Sequence, residues 1–252
     1  MVAKNPYEKF AEVFDSFVPG EFHKDYYRFI IKVLKKLRFK PKSILDLACG
    51  TGRLTKLFLD AGYEVEGLDS SQSMLNIARG RGLKVHHGNM ISFELGKKYD
   101  LVICVFDSLN YVLKQSDLQK CFKSVSRHLN RDGLFIFDMN SDYKINEVLP
   151  TYKNDYHRIG DTELIWLNSH HRNTWIGELI LFERKEDGLY QRFYEKHVER
   201  GYTLAAIEKL LKKVQFGILV KFSDFKFNEI VKDSKRWFFV SKKEKIGNAS
   251  AL

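Results

Sequence analysis

Two carboxylates stand near the ends of short apolar runs early in this chain. Asp46 falls in Ser43-Ile44-Leu45-Asp46-Leu47, and Asp69 ends Tyr63-Glu64-Val65-Glu66-Gly67-Leu68-Asp69. Between them Gly50-Thr51-Gly52 supplies a turn where the backbone bends sharply and a ligand approaches where a Cβ would collide. An acidic side chain at the end of the second run accepts hydrogen bonds from the 2′ and 3′ hydroxyls of a ribose, with capping of the next helix beside Ser70 and Ser71 as its competing use. A third run ends His87-Gly88-Asn89-Met90, an amide and a thioether suited to an adenine edge and face. Together these read as an adenosine site. A nicotinamide dinucleotide would want G-x-G-x-x-G with its pyrophosphate on the helix N-terminus. Here Thr55 stands in the third glycine's place, and Asp46 would repel a pyrophosphate. A carboxylate at that point suits a ligand carrying an ammonium and a sulfonium, which favours S-adenosylmethionine.

A second set of polar residues serves the acceptor. Asp107, Asn110 and Tyr111 follow the fourth apolar run, and Glu195 and His197 lie far downstream. Displacement at a sulfonium needs mainly a nucleophile held in line with the leaving sulfur, and a base matters only when the acceptor arrives protonated. The catalytic candidates are therefore His197, as base or acceptor-orienting group, with Tyr111 and Asp107, while Tyr7 and Tyr111 line the pocket. The bland alternative is a His197 that hydrogen-bonds within its own sheet. His86-His87 and His170-His171 are adjacent in strands and point to opposite faces, so no metal site is expected.

These residues need a frame to hold them. From Ser43 the pattern is strand, helix (Arg53 to Ala61), strand, helix (Gln72 to Arg81), strand (LKVHHG), strand (YDLVICVF), a helix opened by a capping box at Ser116, and strand (GLFIFDM). Strands alternating with helices predict an α/β fold, a doubly wound, mostly parallel seven-stranded sheet. An amphipathic helix between His23 and Phe39 precedes it, so residues 1–40 read as a helical cap. After Pro150, Thr162 to Tyr194 alternates without helices, which predicts a small antiparallel insert of about three strands over residues 151–200. Its aromatics, Trp166, Trp175, Phe182, Tyr190 and Phe193, either floor an acceptor pocket or pack the insert against the core. A helix from Thr203 to Val214 and two strands, near Leu219 to Phe227 and Trp237 to Ser241, return to the sheet, so 41–150 with 201–252 form the core. The last residues, IGNASAL, are expected to fray.

The chain has 252 residues, 44% of them hydrophobic, with no run near the ~20 apolar residues of a membrane span and no apolar core of a signal peptide at its start. A cytoplasmic location is the expectation. Three widely spaced cysteines, Cys49, Cys104 and Cys121, indicate neither a disulfide framework nor a zinc knuckle. The net charge of +10 is spread as an excess of six up to Asn140 and four after it, so nucleic acid is an open partner but not the favoured one.

ILDLACGTGRLT (44 to 55), GLDSSQSML (67 to 75), HGNM (87 to 90), YDLVICVFDSLNYV (99 to 112) and LNRDGLFIFDMN (129 to 140) resemble, in order, the five motifs of class I S-adenosylmethionine-dependent methyltransferases. Tyr7-x-x-Phe10-Ala11-x-x-Phe14-Asp15 and Glu195-x-His197-x-x-x-Arg200-x-Tyr202 resemble the small-molecule branch that includes sugar amine N-methyltransferases. The resemblance implies S-adenosylmethionine as cofactor, with S-adenosylhomocysteine as product, and a small-molecule acceptor, an amine first among candidates. It further implies that Asp46 and Gly50 hold the methionine ammonium, that Gly52 lies against the cofactor, and that Asp69 takes the ribose. Asn89 and Met90 flank the adenine, Phe106 lies near the methionine, and Ala48, Ser70 and Met74 complete the binding set. Ala48 stands where many members have glycine, a replacement expected to be tolerated if φ there is negative. Asn89 replaces an aspartate and Phe14 a tyrosine.

Overall fold

The computed structural model describes residues 6–244. Seven strands form one sheet in the order β10-β11-β5-β4-β1-β2-β3. Its parallel members are β1 (Ser43–Leu47), β2 (Glu64–Asp69), β3 (Val85–His87), β4 (Tyr99–Cys104) and β5 (Leu129–Asn140). β10 (Phe216–Ser223) and β11 (Arg236–Lys243) close the far edge antiparallel. The helices are α1 (Ala11–Phe17), α2 (Gly20–Lys36), α3 (Arg53–Asp60), α4 (Gln72–Gly80), α5 (Gln115–His128) and α6 (Leu204–Lys213).

Both faces of the sheet are covered, which explains why its strands read as unbroken apolar runs. Successive residues go to opposite faces. Leu45, Leu47, Val102, Cys104, Phe135 and Phe137 pack with α5 and α6, while Ile44, Leu101, Ile103, Leu134 and Ile136 pack with α2 and α3. The chain moves outward from β1 to β3 and then returns to place β4 on the other side of β1, so strand order reverses between β1 and β4. The crevice beyond the carboxyl ends of those two strands is where a doubly wound sheet receives a ligand.

The insert forms a separate antiparallel sheet of four strands, one more than the alternation predicts. These are β6 (Asp155–Ile159), β7 (Thr162–His171), β8 (Thr174–Arg184) and β9 (Tyr190–Arg200). β6 has no apolar face of its own, its residues being exposed or half-buried, so it left no period-two signal. The insert buries one face against the N-terminal segment, where Phe10 and Val13 pack on Leu164, Leu179 and Leu181. Two further elements differ from expectation. α1 is a seven-residue helix hidden before Pro19, and α5 starts at Gln115 after Lys114, which gives no side-chain cap, so Ser116 lies inside the helix.

Candidate active site

A cavity of about 580 Å³ opens at the point of strand reversal, within the size range of small-molecule sites. Asp46, Ala48, Gly50, Leu54, Asp69, Ser70, Met74, Asn89, Met90 and Phe106 line it, and so do Tyr7 and Tyr111. Of the predicted residues, Gly52, Asp107, Asn110, Glu195 and His197 do not.

The strand-tip side is built from short local pieces. Asp69 Oδ2 accepts from the Gly50 amide at 2.8 Å and Oδ1 from the Ser71 amide at 2.8 Å, which ties the glycine turn to the start of α4. Ser71, not Asp69, caps that helix, its Oγ accepting from the Met74 amide. Burial raises the pKa of Asp69, against the pull of its backbone donors. Asp46 is 2% exposed, accepts from Thr55 Oγ1 at 2.6 Å, and is pushed by burial up to about 7. A buried carboxylate facing a cavity without a cationic partner is prepared to receive a cation. Gly52 has φ +77, a conformation that favours glycine, and a Cβ there would also crowd Leu83 Cδ1 and Ala78 Cβ of α4.

Ala48 has φ +62, so the condition under which its replacement of glycine would be free of strain is not met. Tyr7, Phe106 and Asp107 share the left-handed region, at φ +63, +62 and +53. Such residues cost about 1 kcal/mol or more each and persist only where surrounding bonds determine them. For the Phe106–Asp107 turn those bonds are visible. The Asp107 amide donates to Asp138 Oδ1 at 3.2 Å, Arg236 donates to Asp107 Oδ1 at 3.1 Å and also to Asp138, and Asn140 Nδ2 donates to Asp107 Oδ2 at 2.8 Å. Burial acts to raise Asp107, but Arg236, Lys144 and Asn140 together hold the carboxyl below its usual range. Asp107 thus faces Arg236 and holds the turn that presents Phe106. Arg236, first residue of β11, was invisible to motif reading because it lies 129 positions from its partner.

The opposite side joins distant segments. The hydroxyls of Tyr7 and Tyr111 are 2.8 Å apart, and Tyr111 Oη is 3.1 Å from His197 Nδ1. His197 is 1% exposed, with Nε2 3.5 Å from Glu195 Oε2 and without a hydrogen bond of its own. Glu195 accepts from the amides of Tyr7, Lys9 and Phe10 at 2.8, 2.5 and 2.8 Å. Burial works to raise this carboxyl, but His197 and the Phe10 and Lys9 amides bring it below its ordinary value. Burial raises both tyrosines, which keeps their hydroxyls protonated at neutral pH. Of the insert aromatics, Trp166 packs on Phe10, Phe17 and His197, whereas Tyr190 is largely exposed.

Among the described residues, the carboxylates lining the cavity are Asp46 and Asp69, and no Lys or Arg lines it, a set that fits a ligand carrying an ammonium and a sulfonium. Also among them, no helix is long and apolar enough to cross a membrane, and no group of three His, Cys, Asp or Glu is arranged to hold a metal ion.

Residues 44–133 match a family described as a methyltransferase domain. A putative methyltransferase of Geobacillus sp. (strain WCH70) is 31% identical over 248 residues, 94% of this chain and 99% of that one. A dTDP-3-amino-3,6-dideoxy-alpha-D-glucopyranose N,N-dimethyltransferase of Streptomyces fradiae is 34% identical over 133 residues, 51% of this chain and 52% of that one. Among solved structures, an S-adenosylmethionine-dependent methyltransferase from Clostridium acetobutylicum ATCC 824 superposes with a TM-score of 0.81 at 33% identity, over 96% of this chain and all of that one.

Proposed function

The chain belongs to the class I S-adenosylmethionine-dependent methyltransferases, and from that premise we propose that it methylates a small-molecule amine, with His197 taking the acceptor's proton through Tyr111. Bound S-adenosylmethionine supplies a methyl group already activated on a sulfonium. What the chain must add is position and, for an ammonium acceptor, a place for one proton.

In this reading Asp69 takes the ribose hydroxyls, Asn89 and Met90 meet the adenine with Ser70 and Met74 beside them, and Asp46, Ala48 and Gly50 meet the methionine ammonium. Phe106 lies against the methionine chain. Asp107 is a positioning residue, acting through Phe106, and Gly52 acts through the positive-φ turn it permits.

The observation that carries the acceptor reading is the row of groups behind the cavity wall. Glu195 beside Nε2 favours the tautomer with the proton on that nitrogen, leaving the Nδ1 lone pair to accept from the Tyr111 hydroxyl. Tyr111 gives its proton to His197 and takes one from the ammonium, the freed lone pair attacks, and the imidazolium rests against Glu195. Protons and charge balance, since one positive charge leaves the acceptor nitrogen and one arrives on the imidazole. The sugar amine methyltransferase among the relatives supports an amine acceptor by analogy.

Labelled methyl from S-adenosylmethionine, offered to a native cell extract and fractionated by size before and after ribonuclease, tests this. Label in a low-mass amine is the expected result. Label in a ribonuclease-sensitive fraction would replace the small molecule with RNA.

A further inference from the structure

We propose that His23 receives the carboxylate end of S-adenosylmethionine, holding it through Nε2 once that nitrogen carries a proton. The inference rests on the cofactor orientation proposed above and is independent of which acceptor is methylated.

His23 lies on α2, is 6% exposed and lines the cavity, with its ring 4.7 Å from that of Phe106. If adenosine occupies the tips of β2 and β3, the methionine chain runs toward Ala48 and Phe106 and ends beside this ring. Nδ1 is enclosed and has no hydrogen-bond partner of good geometry, the Pro19 carbonyl being the backbone group beside the ring. Nε2 is therefore the nitrogen left open to the cavity.

The other polar side chains at this end are already engaged. Thr51 Oγ1 donates to Asp15 at 2.7 Å, and Ser108 Oγ donates to the Val105 carbonyl at 2.8 Å. The Tyr7 and Tyr111 hydroxyls serve each other and His197, and Asp46 accepts from Thr55. Among the described residues lining this end, His23 is the side chain with an unused ring nitrogen that can donate to an anion, the free oxygen of Asp46 being an acceptor.

The surrounding charge has the sign an anion needs. The charged groups that face His23 are Arg53 from α3, Arg81 after α4 and Asp15 from α1. Asp15 pairs with both arginines, so two guanidiniums stand against one carboxylate. Burial, with Arg53, pushes the imidazole down to about 4, so the free protein holds it neutral. An arriving carboxylate reverses that balance, and the ring gains a proton as the anion docks.

Titration calorimetry of the full chain with S-adenosylmethionine and with its decarboxylated analogue tests the assignment. Both ligands carry the ammonium and the sulfonium, so contributions from Asp46 cancel in their ratio. His23→Leu should weaken S-adenosylmethionine roughly tenfold and leave the decarboxylated analogue within about twofold, as for loss of one charge-assisted hydrogen bond. His23→Gln, which restores a donor, should recover part of the loss, and thermal unfolding of each free variant establishes that it folds. In the wild type the preference for the carboxylated ligand should grow as pH falls from about 7 toward about 5, below the range in which the ligand's own α-ammonium titrates, and His23→Leu should abolish that slope. Equal weakening of both ligands, or a pH-independent ratio in the wild type, overturns the role of His23. Asp69→Asn, which should weaken both ligands alike, checks the orientation separately, and binding unchanged by it would overturn that orientation and this inference with it.

Discussion

The strand-tip end of the cavity draws Asp46, Ala48, Gly50, Asp69, Asn89 and Met90 from within a few residues of the ends of β1, β2 and β3. The opposite end draws Tyr7 from the N-terminal segment, Tyr111 from after β4, His197 from β9 and, by way of Asp107, Arg236 from β11. The first needs only a parallel sheet to bring its pieces together. The second exists only once the insert has closed on the N-terminal segment. A common cofactor can therefore keep one end constant while the other changes with the acceptor.

The sharpest way to break this contrast is to remove the buried cation that ties β11 to the Phe106 turn. Arg236→Met leaves Asp107 and Asp138 enclosed without their cation, and should cost about 3–5 kcal/mol of stability by chemical denaturation. A loss below ~1 kcal/mol would mean that the Phe106 turn stands without it.

Next in size, His197→Asn should lower turnover of an ammonium acceptor by about 100-fold near neutral pH. Cofactor affinity should be unchanged. Equal turnover across pH would return His197 to a merely structural place in its sheet.

The other end responds to pH through Asp46. Because its pKa in the free protein is raised to about 7, a cationic ligand must displace a proton from it at lower pH. Affinity for S-adenosylmethionine should therefore fall as pH drops below 7, by at most about tenfold per unit, and Asp46→Asn should flatten this component. The His23 contribution has the opposite sign, so the decarboxylated analogue isolates the Asp46 slope.

The smallest effect is at Ala48. Its positive φ predicts that Ala48→Gly adds about 1 kcal/mol to stability while leaving cofactor binding intact. An unchanged denaturation midpoint would show that the turn relaxes.

Much of this was legible from residue order alone. Apolar runs of four to six residues separated by helical spacing specify a doubly wound sheet, and its strand ends then locate Asp46 and Asp69 without knowledge of side-chain contacts. Partners brought together by tertiary closure leave no such trace. Nothing in the sequence near Asp107 points to Arg236, and His23 reads as one more residue of an amphipathic helix. β6 escaped because a strand at the edge of a small sheet needs no apolar face. The sign of φ at Ala48 escaped because local sequence does not report backbone handedness at an alanine.

One carboxylate has a further consequence. Glu195 gathers the amides of Tyr7, Lys9 and Phe10, the oxygen that takes the Tyr7 amide also facing His197, and Trp166 and Phe10 lock the same two segments by their rings. On the proposed reading, acceptor preference is encoded in two stretches 185 positions apart, which must change in step. A chimera that imports the insert of a relative without its matching N-terminal segment would fold its cofactor end and misassemble the other, so any transplant of specificity has to move both pieces together.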